Sequence, residues 1–350
     1  MPSTALDYIT VKGFKSIASI EKLELRPVNV LIGSNGSGKS NFIGVFEFLH
    51  AIREGRLRDY VYEAGGAEKV LHFGSKTTQR IEIRFQFRGE ESLAYWVALA
   101  PTQDDSLYQS ESHDLHLTEH AASYRTQGYD VLGSLGWRVY HLHDTSKSSP
   151  IRKTAGVDDT RFLRPNGSNL AAFLYLLQEK HPTSYKLIGK TVQRVTPFFE
   201  HFRLAPLLLK PDDIKLEWKH KRSDQYFDSG SFSDGTLRFI ALATLFLQPK
   251  EYLPSVILVD EPELGLHPYA IEMLAALIRQ ASESTQVIVS TQSSLLLDHF
   301  DPQDVLVANR VNGGTHIERL ESTQLQDWLK DYSLGQLWEK NEFAGRPTPE

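Results

Sequence analysis

The chain has 350 residues, with 38 Lys and Arg against 44 Asp and Glu, which gives a formal net charge of −6. Its 41% hydrophobic and 23% charged residues exclude a disordered tail protein and a collagen-like repeat, and the absence of cysteine excludes a disulfide framework, a thiol nucleophile and a thiolate metal site. The length exceeds what one compact core usually manages, so we expect one large domain with an insertion, or two domains.

The first hundred residues predict a β-rich region that contains one helix. Apolar and polar residues alternate, or apolar residues run together, in five predicted strands: 8–12, 20–25, 28–32, 80–87 and 93–99. A turn is expected at Gly13, and helical spacing of apolar residues predicts a helix over 41–54.

The pattern then weakens, because residues 101–165 carry no periodicity that assigns them. Two helices are predicted at 169–180 and 185–199, with cap candidates at 166–168, and they suggest an α-helical insertion. Strands and helices alternate after it, at 214–218 (strand), 234–247 (helix), 255–259 (strand), 269–280 (helix) and 286–290 (strand). Such alternation is typical of a parallel sheet.

One segment matches the phosphate-loop pattern G-x-x-x-x-G-K-[ST] in full: Gly33, Ser34, Asn35, Gly36, Ser37, Gly38, Lys39 and Ser40. It follows a predicted strand and opens a predicted helix, which is the context that the motif requires. Backbone N–H groups of such a loop point at phosphate oxygens, so we expect Lys39 to reach the outer phosphates and Ser40 to bind Mg²⁺. The alternative is a glycine-rich turn without a ligand.

A strand of four aliphatic residues, 256–259, ends in the adjacent carboxylates Asp260 and Glu261. Nucleotides bind at the carboxyl ends of strands in open α/β folds. We therefore expect Asp260 to hold Mg²⁺ through water and Glu261 to polarise the attacking water. Taken alone, Asp-Glu-Pro after a strand is more often a solvated turn.

Together these segments resemble a known family. Residues 12–17, 33–41, 233–236 and 260–263 resemble, in order, the N-terminal strand, Walker A, signature and Walker B motifs of the ABC-type ATPases. More narrowly, the chain resembles the stand-alone bacterial AAA family related to RecF, SMC and OLD proteins, of which residues 263–268 are a specific hallmark. The resemblance covers about the first hundred residues and 214–310. It implies an α/β P-loop NTPase fold of ABC and SMC-head type, with a mixed sheet, a β-rich N-terminal lobe and an α-helical insertion.

The resemblance implies a division of the chain and a composite site. Residues 1–100 and 214–320 form the halves of the ATPase core, 101–213 the insertion, and 321–350 a C-terminal tail. ATP bound to the phosphate loop and Asn41 of one protomer is capped by Ser233 and Gly235 of a second, which implies an ATP-dependent homodimer. From the residues alone, Ser233 is an ordinary helix N-cap.

Two departures from the family concern hydrolysis. Gln292 stands where the family usually carries a histidine, and an amide can hydrogen-bond a γ-phosphate but carries neither a charge nor a proton, so slow hydrolysis is expected. No lid-loop glutamine is evident: Gln86 lies in about the right region, but a surface position on a strand is the preferred interpretation. Five histidines have metal-like spacing in places, but no carboxylate pattern supports a metal site; they are His113, His116, His120, His141 and His143.

We expect a cytoplasmic protein, because no signal sequence and no apolar run of about 20 residues is present. The resemblance implies Mg²⁺-dependent ATP hydrolysis in bacterial DNA maintenance, repair or phage defence, with double-stranded DNA as a ligand. The alternative is a regulatory ATPase for a separate effector. Only 350 − 292 = 58 residues follow Gln292, too few for the nuclease domain of OLD proteins, so a nuclease is expected on another chain. A transporter subunit is disfavoured by Gln292 and by the insertion.

Overall fold

The computed structural model describes residues 5–88, 92–118, 121–124, 136–321, 325 and 327–342. The chain divides into two compact units. Unit 1 comprises Met1–Val139, Ser255–Leu258 and Thr285–Glu350, and unit 2 comprises Tyr140–Pro254 and Val259–Ser284. Among the described residues, no helix has the length and apolar character needed to cross a membrane.

Helices occur in both units. In chain order they are α1 (Lys39–Arg53), α2 (Leu57–Glu63), α3 (Ala67–Val70), α4 (Leu170–Lys180), α5 (Pro182–Val195), α6 (Asp234–Leu247), α7 (Pro268–Ser282), α8 (Ser294–Leu297) and α9 (Leu334–Lys340). The predicted helices at 41–54, 169–180, 234–247 and 269–280 are confirmed to within two residues at each end. The helix predicted at 185–199 begins earlier and ends at Val195, because Phe199 already belongs to a strand.

The first sheet of unit 1 has six antiparallel strands. In spatial order they are β2 (Ile17–Glu24), β1 (Leu6–Phe14), β4 (Ile81–Phe87), β5 (Ser92–Pro101), β6 (Leu107–Thr118) and β7 (Ala121–Tyr124). Every second residue of β4 is buried, as in a strand with one face on a core. On that face Trp137 packs edge-on against Phe85 and against Phe46 of α1, with ring centroids 5.5 and 5.9 Å apart.

The turn predicted at Gly13 is wrong. Gly13 lies inside β1, and the chain reverses instead at Lys15 and Ser16, where Lys15 takes a left-handed φ of 48°. Gly13 is needed for space as well as for its φ of 74°, because a β-carbon there would lie 2.6 Å from the Arg80 carbonyl oxygen. A glycine in a strand therefore signalled a close backbone approach rather than a turn.

The second sheet is mixed, as predicted. Its order is β18 (Gly314–Arg319), β17 (Val305–Val311), β3 (Val28–Ile32), β16 (Gln286–Ser290), β15 (Val256–Asp260) and β8 (Trp137–Tyr140). Strands β16 and β17 pair with β3 in parallel, whereas β18 pairs with β17 antiparallel. All residues of β3 and β16 are buried, which is typical of central parallel strands covered on both faces.

Unit 2 combines α4 to α7 with two small three-stranded sheets. One has the order β10 (Phe199–Arg203), β13 (Glu217–His220), β14 (Tyr226–Asp228), and the other β11 (Pro206–Leu207), β12 (Lys210–Ile214), β9 (Ala155–Gly156). The single strand predicted at 214–218 is wrong, because β12 ends at Ile214 and β13 begins at Glu217 in the other sheet. Ile214, Leu216 and Trp218 are all buried. Apolar residues therefore recur at every second position across the break, which is the pattern expected of one continuous strand.

Candidate functional site

The phosphate loop joins β3 to α1, as the sequence predicts. Its three glycines take φ values of 152° (Gly33), 80° (Gly36) and 102° (Gly38), which disfavour any side chain. Helix α1 begins at Lys39, and its N-cap, Gly38, offers no side-chain hydrogen bond to the first turn. The N–H groups of a helix start without a side-chain cap, with the positive end of the helix dipole, suit an anion.

Lys39 is held against the backbone of this loop. Its side chain is buried, and Nζ donates hydrogen bonds to the carbonyl oxygens of Gly33 at 2.7 Å and Ser34 at 3.1 Å. The side chains of Asn35 and Ser40 are exposed on the same segment. The loop thus combines a lysine ammonium that is hydrogen-bonded to the backbone with polar groups that are accessible to solvent.

A chain of three hydrogen bonds fixes the curve of the loop. Asn41 donates to the Ser16 hydroxyl at 2.7 Å, Ser16 and Thr315 share a hydrogen bond of 2.7 Å, and Thr315 donates to the Ser37 carbonyl at 2.9 Å. Because the Thr315 proton goes to Ser37, Ser16 must be the donor to Thr315. Sequence reasoning did not find Thr315, which lies 278 residues from Ser37 along the chain.

Gln292 follows β16 at the same edge of the sheet as the phosphate loop, because β16 and β3 run in parallel. The neighbouring Thr291 N–H donates to the Leu31 carbonyl at 3.0 Å, two residues before Gly33. The Gln292 side chain is exposed, and Ser293 caps α8 by accepting from the Leu296 N–H at 3.1 Å. The residue predicted at the switch position therefore lies at the same edge of the sheet as residues 33–40.

Gln86 lies inside the first sheet. It is paired with Tyr8 of β1 on one side and Ala94 of β5 on the other. Gln86 is therefore a half-buried residue of an interior strand, so the strand assignment is confirmed.

The two adjacent carboxylates stand at the end of β15. Asp260 is the last residue of the strand, and Glu261 adopts a left-handed φ of 40°. That conformation costs a non-glycine residue about 1 kcal/mol and is often found at functional sites. His143 hydrogen-bonds the Asp260 carbonyl oxygen through Nε2 at 2.6 Å, so the peptide group between the two carboxylates is fixed by a side chain.

The segment that resembles the signature motif opens α6. Ser233 is the N-cap, and its hydroxyl accepts from the Thr236 N–H at 3.2 Å, as predicted for a cap. Gly235 faces the loop after β15, where a β-carbon would lie 2.2 Å from the Gly265 carbonyl oxygen. Glycine at this position is required by that close approach.

Two arginines that sequence reasoning missed connect α6 and its start to other segments of unit 2. Arg152 donates to the Phe232 carbonyl at 3.2 Å and to the Asp234 carboxylate at 2.7 Å. Arg238 donates to the carbonyls of Leu142 at 2.8 Å and His143 at 2.7 Å. Burial lowers the pKa of Arg238 from its ordinary value, while Asp234 and Glu263 oppose the shift. No local sequence pattern signals either arginine, because their partners are distant along the chain.

The predicted site residues fall in both units. Unit 1 holds the phosphate loop, Asn41 and Gln292, and unit 2 holds Ser233, Gly235, Asp260 and Glu261. Within the described part of the chain, no group of three or more His, Asp or Glu side chains could hold a metal ion. His120 lies outside the described residues. His143 hydrogen-bonds the backbone of a predicted site residue, Asp260.

Comparisons with known proteins agree on the type of chain. Residues 28–298 match the model of a family described as "AAA domain, putative AbiEii toxin, Type IV TA system". The Old nuclease of Escherichia phage P2 is 22% identical over 93% of this chain, which spans 62% of that protein's length.

Solved SMC heads share the fold. One bound to the C-winged helix domain of ScpA covers 92% of this chain and 99% of its own, with 18% identity and a TM-score of 0.63. Another, from Pyrococcus furiosus, has an extended coiled coil and is bound to the C-terminal domain of ScpA. It covers 93% of this chain and 99% of its own, with 16% identity and a TM-score of 0.61. The fold is therefore that of a P-loop NTPase of SMC-head type.

Proposed function

The chain belongs to the AAA-domain family whose model it matches over residues 28–298, and from this premise we propose that it binds ATP and hydrolyses it with Mg²⁺. The observation that carries the proposal is the loop between β3 and α1, with its three left-handed glycines and its buried lysine. A loop of this conformation directs successive N–H groups at phosphate oxygens. When ATP binds, the Lys39 ammonium would give up its two backbone carbonyl partners and bind the outer phosphates of the nucleotide instead.

The residues present suit Mg²⁺. The Ser40 hydroxyl and the Asp260 carboxylate are the oxygen ligands that this ion prefers, and Mg²⁺ usually keeps several waters and phosphate oxygens instead of a full protein cage. When bound, Mg²⁺ neutralises charge on the phosphates and so favours phosphoryl transfer.

Glu261 is proposed to orient the attacking water and accept its proton, as the base next to the metal ligand Asp260. Gln292 would donate an amide hydrogen bond to the γ-phosphate. Because an amide neither carries charge nor transfers a proton, we expect turnover to be slow compared with a head that carries histidine there.

The functional state is proposed to be a homodimer with ATP at the interface. Ser233 and Gly235 of one protomer would cap the nucleotide held by residues 33–41 of the other. The proposal is supported by the SMC-head fold and by the position of both residues at the N-terminal end of α6, where the helix dipole favours an anion.

The process we favour is bacterial DNA maintenance, repair or phage defence in the cytoplasm, with double-stranded DNA as the ligand of the dimer. A second candidate is a switch that controls a separate effector protein. It is favoured by solved SMC heads that are bound to domains of the protein ScpA. A role as a transporter subunit is the least favoured of the three candidate functions.

The proposal is tested by phosphate release with Mg·ATP from the parental protein and from Lys39→Ala, with and without a DNA duplex. Hydrolysis that requires Lys39 and rises with DNA supports the DNA-acting head. Hydrolysis that requires Lys39 but ignores DNA favours the effector switch. Equal hydrolysis by both proteins would reject the phosphate-loop assignment.

A further inference from the structure

His143 makes a contact that the proposed roles leave unexplained. It lies three residues after β8, and its Nε2 is 2.6 Å from the carbonyl oxygen of Asp260. A carbonyl oxygen only accepts, so Nε2 must carry the hydrogen. The imidazole is thus attached to the backbone of the residue proposed to hold Mg²⁺.

The accepting carbonyl belongs to the peptide group that leads into Glu261. The left-handed φ of 40° at Glu261 is unfavourable for a residue with a β-carbon, so it persists only where the surroundings hold it. Rotation of Glu261 towards an ordinary conformation would turn this peptide group, and the hydrogen bond from His143 opposes that rotation.

His143 is itself held by the helix that opens with Ser233. Arg238, one turn further along α6, donates to the carbonyls of Leu142 and His143 itself, at 2.8 and 2.7 Å. The same guanidinium lies 3.3 Å from the place that a β-carbon of Gly265 would occupy. A continuous series of contacts therefore runs from Glu261 through His143 and Arg238 to α6, all within unit 2.

We propose that His143 is a positioning residue that holds Glu261 in the conformation needed to orient water. Through Arg238 it ties that conformation to the helix whose N-terminal residues would cap the nucleotide of a second protomer. The inference rests on the proposed function, because it assigns His143 a part in the hydrolysis attributed to Glu261. Rotation of Glu261 would displace its carboxylate, and misplacement by about 1 Å can cost about a hundredfold in rate.

The test compares two amides that differ by one methylene. In His143→Gln the side-chain N–H donor has nearly the reach of Nε2, whereas in His143→Asn it falls short of the Asp260 carbonyl. We expect kcat of the Asn variant to fall about tenfold to a hundredfold with KM for ATP nearly unchanged, and the Gln variant to recover most of the loss. His201→Ala, which changes a half-exposed histidine on β10, is the control and is expected to leave kcat unchanged.

Equal activity of the Asn variant and the parental protein would overturn the inference, as would equal loss in both amide variants or a loss confined to KM. Glu261→Gln, measured in parallel, separates this result from failure of the proposed function. If Glu261→Gln hydrolyses ATP at the parental rate, the proposed role of Glu261 is wrong. If it is inactive while His143→Asn is normal, only the role of His143 is wrong.

Discussion

The hydroxyl of Thr315 lies so close to Gly38 that a β-carbon added to the glycine would be 1.9 Å from it. The same hydroxyl donates to the Ser37 carbonyl at 2.9 Å and is 2.7 Å from the Ser16 hydroxyl. The curve of the phosphate loop is therefore fixed by β18 and by the turn between β1 and β2.

Thr315→Val is expected to weaken ATP binding and to lower stability by about 1–3 kcal/mol, because it leaves the buried Ser37 carbonyl without its donor. Thr315→Ser keeps the hydroxyl and should retain most of the affinity. Calorimetric titration with ATP and thermal unfolding of both variants check this expectation. If Thr315→Val bound ATP as tightly as Thr315→Ser and were equally stable, the hydroxyl would have no part in shaping the loop.

Lys39→Ala is expected to weaken ATP binding about tenfold to a hundredfold, because a hydrogen bond from a charged donor to phosphate contributes about 1.5–3 kcal/mol. Fluorescence titration with a nucleotide analogue measures the loss. Lys76→Ala removes an exposed lysine of the same unit and is the matched control. Parental affinity in the Lys39 variant would mean that the nucleotide binds elsewhere.

Glu261→Gly is expected to raise the thermal midpoint while hydrolysis is lost, because glycine tolerates the φ of 40° and relieves up to about 1 kcal/mol of backbone strain. Glu283→Gly is the control: Glu283 has an ordinary φ of −67°, so glycine there should lower the midpoint. A lower midpoint in both variants would show that the conformation of Glu261 carries no strain.

Gly235→Ala is expected to destabilise the start of α6 by about 1–3 kcal/mol, because the new methyl group would displace the Gly265 backbone. Gly189→Ala is expected to stabilise the protein instead. Nothing lies within 4 Å of a β-carbon at this helical glycine, and alanine is the better helix former by about 1 kcal/mol. Thermal unfolding of the two variants compares them directly. A neutral Gly235→Ala would mean that the loop after β15 yields easily.

Features that depend only on residues close together in the sequence could be predicted. The phosphate loop between β3 and α1 and the carboxylates at the end of β15 follow from short motifs in their strand and helix context. Ser233 was predicted as an N-cap because capping involves residues within one helical turn.

What the sequence could not predict depends on distant segments. The contact between Thr315 and Ser37 spans 278 residues, and that between His143 and Asp260 spans 117; neither has a local pattern. Gly13 appeared to mark a turn because its need for space near Arg80 arises only when β1 and β4 are paired. The end of a strand at Ile214 could not be seen in the sequence, because every second residue stays buried where the chain passes from one sheet to the other.

Sedimentation velocity of Glu261→Gln with Mg·ATP, with Mg·ADP and without nucleotide tests the central proposal most directly. Removing the base while keeping the metal ligand Asp260 should trap the state before hydrolysis. The account predicts a dimer in Mg·ATP only, which Lys39→Ala in the same chain abolishes. A monomer under all three conditions, from a protein that still binds ATP, would contradict the composite site.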